Sequence, residues 1–374
     1  MPIGFFAILI FMLALAQPAH AQYVELVGAD TSDKRIKAAT NFLVSYLKEF
    51  NDRKLPDYSR YWSKEDCKRS TLPDNIVYSI SDDYPTYQFC KTPTIFYALP
   101  YDDYVHLKTL FYNYDSSGKV FPWAITNHYV ALDGHTSKPY FISELELKKK
   151  NYKTVRKRNI IYHFPALHRF DRRVSKTMLK RLEQIEQDWG FKPVPVHYYF
   201  ADNPQQLTAM RGMDYVFAMD EMAPNGISYP QHGMIFSQGM GEGYLHEVLH
   251  MYFNPAYPKS PMTHALVYYY GGGIGHDFDW IINRMARYLT AYPDTDLTNY
   301  VELRSKDKML HISHTVNGLL LKMIDKKDGV AGLKRALTYA TTDELLKKEF
   351  GLEPKDLNEF LRKEFGKYAS NTAE

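Results

Sequence analysis

The chain has 374 residues, of which 45% are hydrophobic and 24% charged, and its formal net charge is +3. That length can bury two sizeable cores, and so small a net charge leaves no basic footprint for nucleic acid. Aromatic residues make up 15%, with 31 Tyr; half-buried strands in which Tyr stands for Phe explain this more simply than a glycan or peptide groove.

Met1–Gln22 reads as a leader. Ile3–Ala16 is an apolar run without charge, too short to span a bilayer, and Ala19-His20-Ala21 supplies a small-x-small cleavage pattern. Residues 1–21 are therefore expected to be a cleavable signal peptide, and the mature chain to be secreted or periplasmic. The stretch lacks Lys and Arg, and no Cys follows the cleavage pattern as a lipoprotein anchor would require. No later segment is long and apolar enough for a membrane span.

Asp33–Phe50 carries Ile36, Ala39, Leu43, Tyr46, Leu47 and Phe50 at helical spacing. Strand-like runs follow at Thr94–Leu99, His106–Tyr114, Phe121–Leu132 and Pro139–Ile142, divided by turn residues such as Asp133-Gly134. A helix followed by a meander makes residues 22–150 an α+β domain. Its element order resembles the NTF2-like cone fold, on pattern alone. His106, His128 and His135 are scattered through it and read as structural or surface residues. Cys67 and Cys90 are the only cysteines; in an exported chain they are expected to form one disulfide closing roughly twenty residues, worth about 3 kcal/mol. Glu144–Arg158, with seven Lys and Arg, reads as a solvated linker.

A second domain, residues 159–374, opens with a strand at Asn159–Phe164 and a helix over Asp171–Trp189 that Gly190 stops. Strands are expected at Val196–Phe200, Asp214–Met219 and Gly233–Ser237, with a short helix after Asp202-Asn203-Pro204. Then comes Gly241–Asn254, GEGYLHEVLHMYFN, containing His246-Glu247-Val248-Leu249-His250. On a helix, residues four apart share a face, so two neutral imidazoles on adjacent turns can grip one zinc ion while Glu247 beside them takes a proton from water. A chain of this composition yields on the order of 0.02 such pentads by chance. Tyr244, Leu245, Val248, Leu249, Tyr252 and Phe253 wrap it in apolar residues, and Pro255 is expected to stop the helix. The bland alternative is a core helix whose histidines make ordinary hydrogen bonds.

A catalytic zinc needs a third protein ligand and an open position. The metzincin extension fails, because Phe253 replaces its glycine and Ala256 its last histidine. Downstream, Pro261 precedes Met262-Thr263-His264-Ala265-Leu266-Val267-Tyr268-Tyr269-Tyr270-Gly271-Gly272. This run resembles the W-L-x-E-G-x-A-x-Y-x-G-G segment of the gluzincin peptidases, in particular the peptidase-MA-like branch, through Pro261, Val267, Tyr269 and the glycine pair. The resemblance makes His264 the counterpart of the family's glutamate ligand. Imidazole binds zinc as well as carboxylate does, and a three-histidine centre is more positive by one charge. His276 or Asp277 stands as an alternative ligand, and a decayed site with no third ligand as another.

The lead-in strands, an Asp277–Leu289 helix, and further helices near Lys306–Asp325, Val330–Tyr339 and Thr342–Phe365 (broken at Gly351) are similar to the gluzincin layout. That layout implies a mixed sheet whose edge strand, here Gly233–Ser237 just before the pentad, borders the cleft, then an active-site helix and a helical C-terminal lobe, so the whole chain is expected to be α+β. The resemblance implies a zinc peptidase acting on peptide or protein, with His246, His250 and His264 as ligands and Glu247 as base. Tyr268, one turn after His264, is the first choice as oxyanion donor, with Tyr269, His311 and His314 as alternatives. No Gly-x-Met-x-Asn-type amine anchor lies upstream of the pentad at the usual distance, which leans towards an endopeptidase. Two other classes stay open: a peptidase descendant kept as a binding module, and a zinc hydrolase of a different bond.

Overall fold

The computed structural model describes residues 24–50, 56–70, 73–74, 93–114, 116–132, 138–216 and 225–369. Residues 1–23, Cys90 and His135 lie outside these residues, and with them the expected signal cleavage and disulfide. The fold is α+β, with two sheets and a helical C-terminal region. The chain divides into two compact units, Met1–Lys149 with Thr208–Glu221, and Lys150–Leu207 with Met222–Glu374.

In the first unit, helix α1 (Lys34–Leu47) begins where the Asp33 carboxylate accepts hydrogen bonds from the Arg35 and Ile36 amides. Its apolar stripe, Ile36, Ala39, Leu43, Tyr46 and Leu47, is buried. It packs on a sheet of β1 (Glu25–Leu26), β2 (Thr94–Pro100), β3 (Tyr104–Tyr114), β4 (Val120–Leu132) and β5 (Pro139–Ile142), hydrogen-bonded in that order. All pairings are antiparallel except β1 with β2. His106 bonds Asn127 and stacks on Tyr129, while His128 is buried beside Asp74 and Tyr46.

The second unit holds β6 (Tyr152–Lys157), β7 (Ile160–Pro165), β8 (Val196–Ala201), β10 (Asn225–Tyr229) and β11 (Met234–Gln238), in the order β10-β11-β8-β7-β6. The strand between them in sequence, β9 (Met213–Val216), pairs instead with β4 in the first unit's sheet. The three central strands run parallel and both edges antiparallel. Helix α2 (Arg172–Trp189) joins β7 to β8, capped by Asp171 and ended by Gly190 at φ +72°. Helices α3 (Leu245–Ala256), α4 (Thr263–Gly271), α5 (Phe278–Ala291) and α6 (Ile312–Ala336, interrupted by the non-helical Gly329) follow, then helical turns over 342–350 and α7 (Leu357–Gly366). Helix α4 packs between α3 and α6. None of the described helices is long and apolar enough to cross a membrane.

Four expectations are corrected. The Glu144–Arg158 linker is in part β6, an edge strand whose Lys153, Arg156 and Lys157 discourage pairing along its open side. The Gly233–Ser237 strand lies inside the sheet, paired on both sides, and the edge is β10. Helix α3 runs on to Ala256, because a proline in the last turn gives up one hydrogen bond without ending the helix. Of the two helices expected across Lys306–Tyr339, the first starts only at Ile312; the division expected between them falls at Gly329, whose φ of 60° and ψ of −154° are not helical.

Candidate metal centre

Helix α3 is apolar nearly all round, with Leu245, Val248, Leu249, Met251, Tyr252 and Phe253 buried, so its polar residues His246, Glu247 and His250 are carried into the interior. The histidines sit one turn apart, and their Nε2 atoms lie 3.2 Å from each other. Both rings are fixed from behind. His246 Nδ1 donates to the Gly272 carbonyl at 2.6 Å, and His250 Nδ1 donates to Asn254 Oδ1 at 2.9 Å. With each Nδ1 used as a donor, each Nε2 presents a lone pair. Burial lowers both pKa values to about 4, against the Gly272 bond in one case and the Glu247 charge in the other. Neither ring therefore carries an extra proton at neutral pH.

Two lone pairs facing each other at this distance repel, unless a cation lies between them. Zinc–nitrogen bonds of about 2.0–2.1 Å in a tetrahedron put two ligand nitrogens about 3.3 Å apart, close to the spacing found. The carbonyl partners on Nδ1 are the supports that metal-binding imidazoles characteristically have. The donor set fits zinc.

His264, on α4, faces the same place; its ring centroid is 4.8 Å from that of His250. More than a third of its surface stays exposed, although the protein around it still lowers its pKa through burial. Among the described residues, no three His, Cys, Asp or Glu side chains converge closely enough to enclose an ion as they stand. His246 and His264 line one hollow of about 230 Å³ with Glu247, Tyr244, Tyr268, His311 and His314.

Glu247 is buried, and burial raises its pKa; the nearby His250 and a hydrogen bond from Ser228 oppose the rise. The Ser228 hydroxyl lies within reach of both the Glu247 carboxylate and, at 2.8 Å, its backbone carbonyl. Ser228 belongs to β10, which runs close against α3. A Cβ at Gly226 would meet Glu247 Cγ at 2.6 Å, so only glycine lets the strand pass the carboxylate.

No protein-family model matches this chain, and no curated protein matches it. Among solved structures it is similar to a point mutant of the M1 zinc metallopeptidase from Deinococcus radiodurans. The two are 10% identical, the match covers 76% of this chain, and the TM-score is 0.29. The chain spans 64% of the length of that peptidase. A likeness this faint leaves the chemistry to be read from the site's own residues.

The other sequence candidates divide cleanly. Tyr268 lines the hollow, and its buried hydroxyl has no well-formed partner among the described residues; the Thr315 hydroxyl beside it donates to the His311 carbonyl. Tyr269 points elsewhere and donates to Asp325 at 2.7 Å. His276 stacks on Trp280 at 3.6 Å, and the Asp277 carboxylate caps α5 through the Trp280 amide. Neither lines the hollow. The glycine pair has a local cause, since a Cβ at Gly271 would lie 2.6 Å from His246 Cα. Ser228 and Asn254 escape sequence reading. Asn254 carried a signal, four residues after His250 on the same helical face, whereas Ser228 arrives from a strand with no local pattern.

Proposed function

We propose that this chain is an exported zinc-dependent peptidase. The observation that carries the reading is the pair of neutral imidazoles whose Nε2 atoms face each other at 3.2 Å with both Nδ1 atoms held by carbonyl oxygens. His246 and His250 would hold the ion, and His264 would complete the set by turning its exposed ring inward. Zinc, when bound, supplies Lewis acidity and makes water acidic enough to react near neutral pH. Glu247 takes the proton of the attacking water and hands it to the leaving amine. Ser228 keeps that carboxylate aimed, and its burial gives it the basicity to accept a proton. Tyr268, with its hydroxyl free in the hollow, donates to the oxygen on which negative charge develops. Export rests on the leader pattern of Met1–Gln22.

A zinc-binding protein without hydrolysis is the second reading, favoured by the incomplete convergence of the three rings. Metal content and hydrolysis of fluorogenic peptides, measured on residues 22–374, decide between them. The expected outcome is one zinc per chain, much weakened in His264→Ala. In Glu247→Gln the zinc stays and turnover falls by about 10²–10⁴. A wild type that refuses zinc on reconstitution ends the metal reading. Zinc bound without any turnover establishes the second.

A further inference from the structure

We propose that a groove beside the histidine hollow selects substrates carrying an acidic side chain near the cleaved bond, with Arg173 and Arg181 as its receptors. The inference rests on the peptidase reading and names its substrate class. The groove encloses about 510 Å³ between α2, the start of α3 and the loop that follows α4. Tyr244 lines both the groove and the hollow, and the intervening turn shows Gly273 and Ile274 to the hollow but Gly275 and His276 to the groove. A peptide leaving the hollow past Tyr244 enters it. Val174, Met178 and Leu245 give it apolar walls that suit side-chain methylenes.

Its charge is one-sided. The first turns of α2 present Arg172, Arg173, Lys176, Lys180 and Arg181, all exposed, and none makes an ion pair among the described residues. The carboxylates around the groove already have partners: Asp171 caps α2 through the Arg173 and Val174 amides, Asp277 caps α5 through the Trp280 amide, and Glu242 accepts from the Asp171 amide and faces His168. Asp188 and Asp279, which share a neighbouring hollow with Arg181, bond Gln184 and Lys322. The guanidinium groups are left to a carboxylate from outside, which they bind in bidentate fashion. A groove with apolar walls, opening beside the reacting groups, favours a peptide side chain over a bare polyanion.

Peptides matched except for Glu, Gln or Lys at one position, scanned along both sides of the cleaved bond, test this. At one position the Glu peptide should show the highest kcat/KM, through KM. The preference should shrink about tenfold in Arg173→Ala/Arg181→Ala, fade in high salt, be partly kept in Arg181→Lys and turn towards the Lys peptide in Arg181→Glu. Turnover without preference for Glu at any position overturns the inference and leaves the peptidase reading standing. If no peptide is cleaved, that reading falls, and binding of a fluorescein-labelled Glu-rich peptide decides the groove by itself. Salt-sensitive binding lost in the double variant supports it, and equal binding to both proteins overturns it.

Discussion

Ser228 and Asn254 each steady one residue of the site, Glu247 and His250 respectively, which makes their removal a clean perturbation. Asn254 holds the His250 ring and its tautomer, so Asn254→Leu should weaken zinc affinity by about 10–100-fold, read by competition with a chelator. An unchanged affinity would mean that the ring is oriented by packing alone. Ser228 counteracts the burial that lifts the Glu247 pKa. The base must be ionised to act, so activity climbs with pH through that pKa. Ser228→Ala removes the opposing bond, raises the pKa further and should move the acid limb of kcat/KM to higher pH. A limb that stays put would show that another group sets it. Tyr268→Phe should lower kcat by about 10–100-fold with zinc content unchanged, and a loss confined to KM would assign the hydroxyl to substrate binding instead.

Helix α3 depends on what its neighbours omit as much as on its own residues. A side chain at Gly271 would press on His246 Cα and N at 2.6 and 2.8 Å, backbone atoms with nowhere to move. Gly271→Ala should therefore cost about 1–3 kcal/mol and loosen the zinc site with it. Gly190→Ala, at a φ of +72° with open space around it, should cost only about 1 kcal/mol of conformational strain, with zinc binding untouched. Urea unfolding and zinc titration of the pair check this, and loss of zinc affinity in both would detach the effect from the close approach. At this scale the sequence was most readable where it was periodic. The stripe from Ile36 to Leu47 and the apolar wrapping of the pentad follow from helical spacing alone. The β10 edge was not readable, because Asn225–Tyr229 has a glycine and a serine where alternation would show. Those two residues owe their place to Glu247, which lies on another element. His264 and Tyr268 were legible only through likeness to a known motif, whereas the ring supports behind His246 and His250 required the fold.

Across the whole molecule, burial sets how the protein responds to acid. His232, His246, His250 and His314 all have pKa values lowered to about 4, with desolvation as the first cause in each. An unfolded chain titrates these rings near 6.5. Between those values the unfolded state binds more protons than the folded one, so the stability of the metal-free protein should fall as pH drops from about 6.5 towards 4 and stay level above. Urea midpoints across that range test it, and a flat profile would mean that these rings protonate in place.

The path of the chain between its two units has a further result. The backbone crosses from one to the other after Lys149, returns at Thr208 and leaves again after Glu221. During the short return it lays Met213–Val216 along Ala124–Thr126, and Asp214 bonds Lys108 and Asn127. Scission between Lys149 and Lys150 would thus not give two independent pieces. The N-terminal piece would keep α1 and β1 to β5 yet remain stitched to the other by a strand it does not own, and prising them apart would bare a raw edge on β4 open to any passing strand.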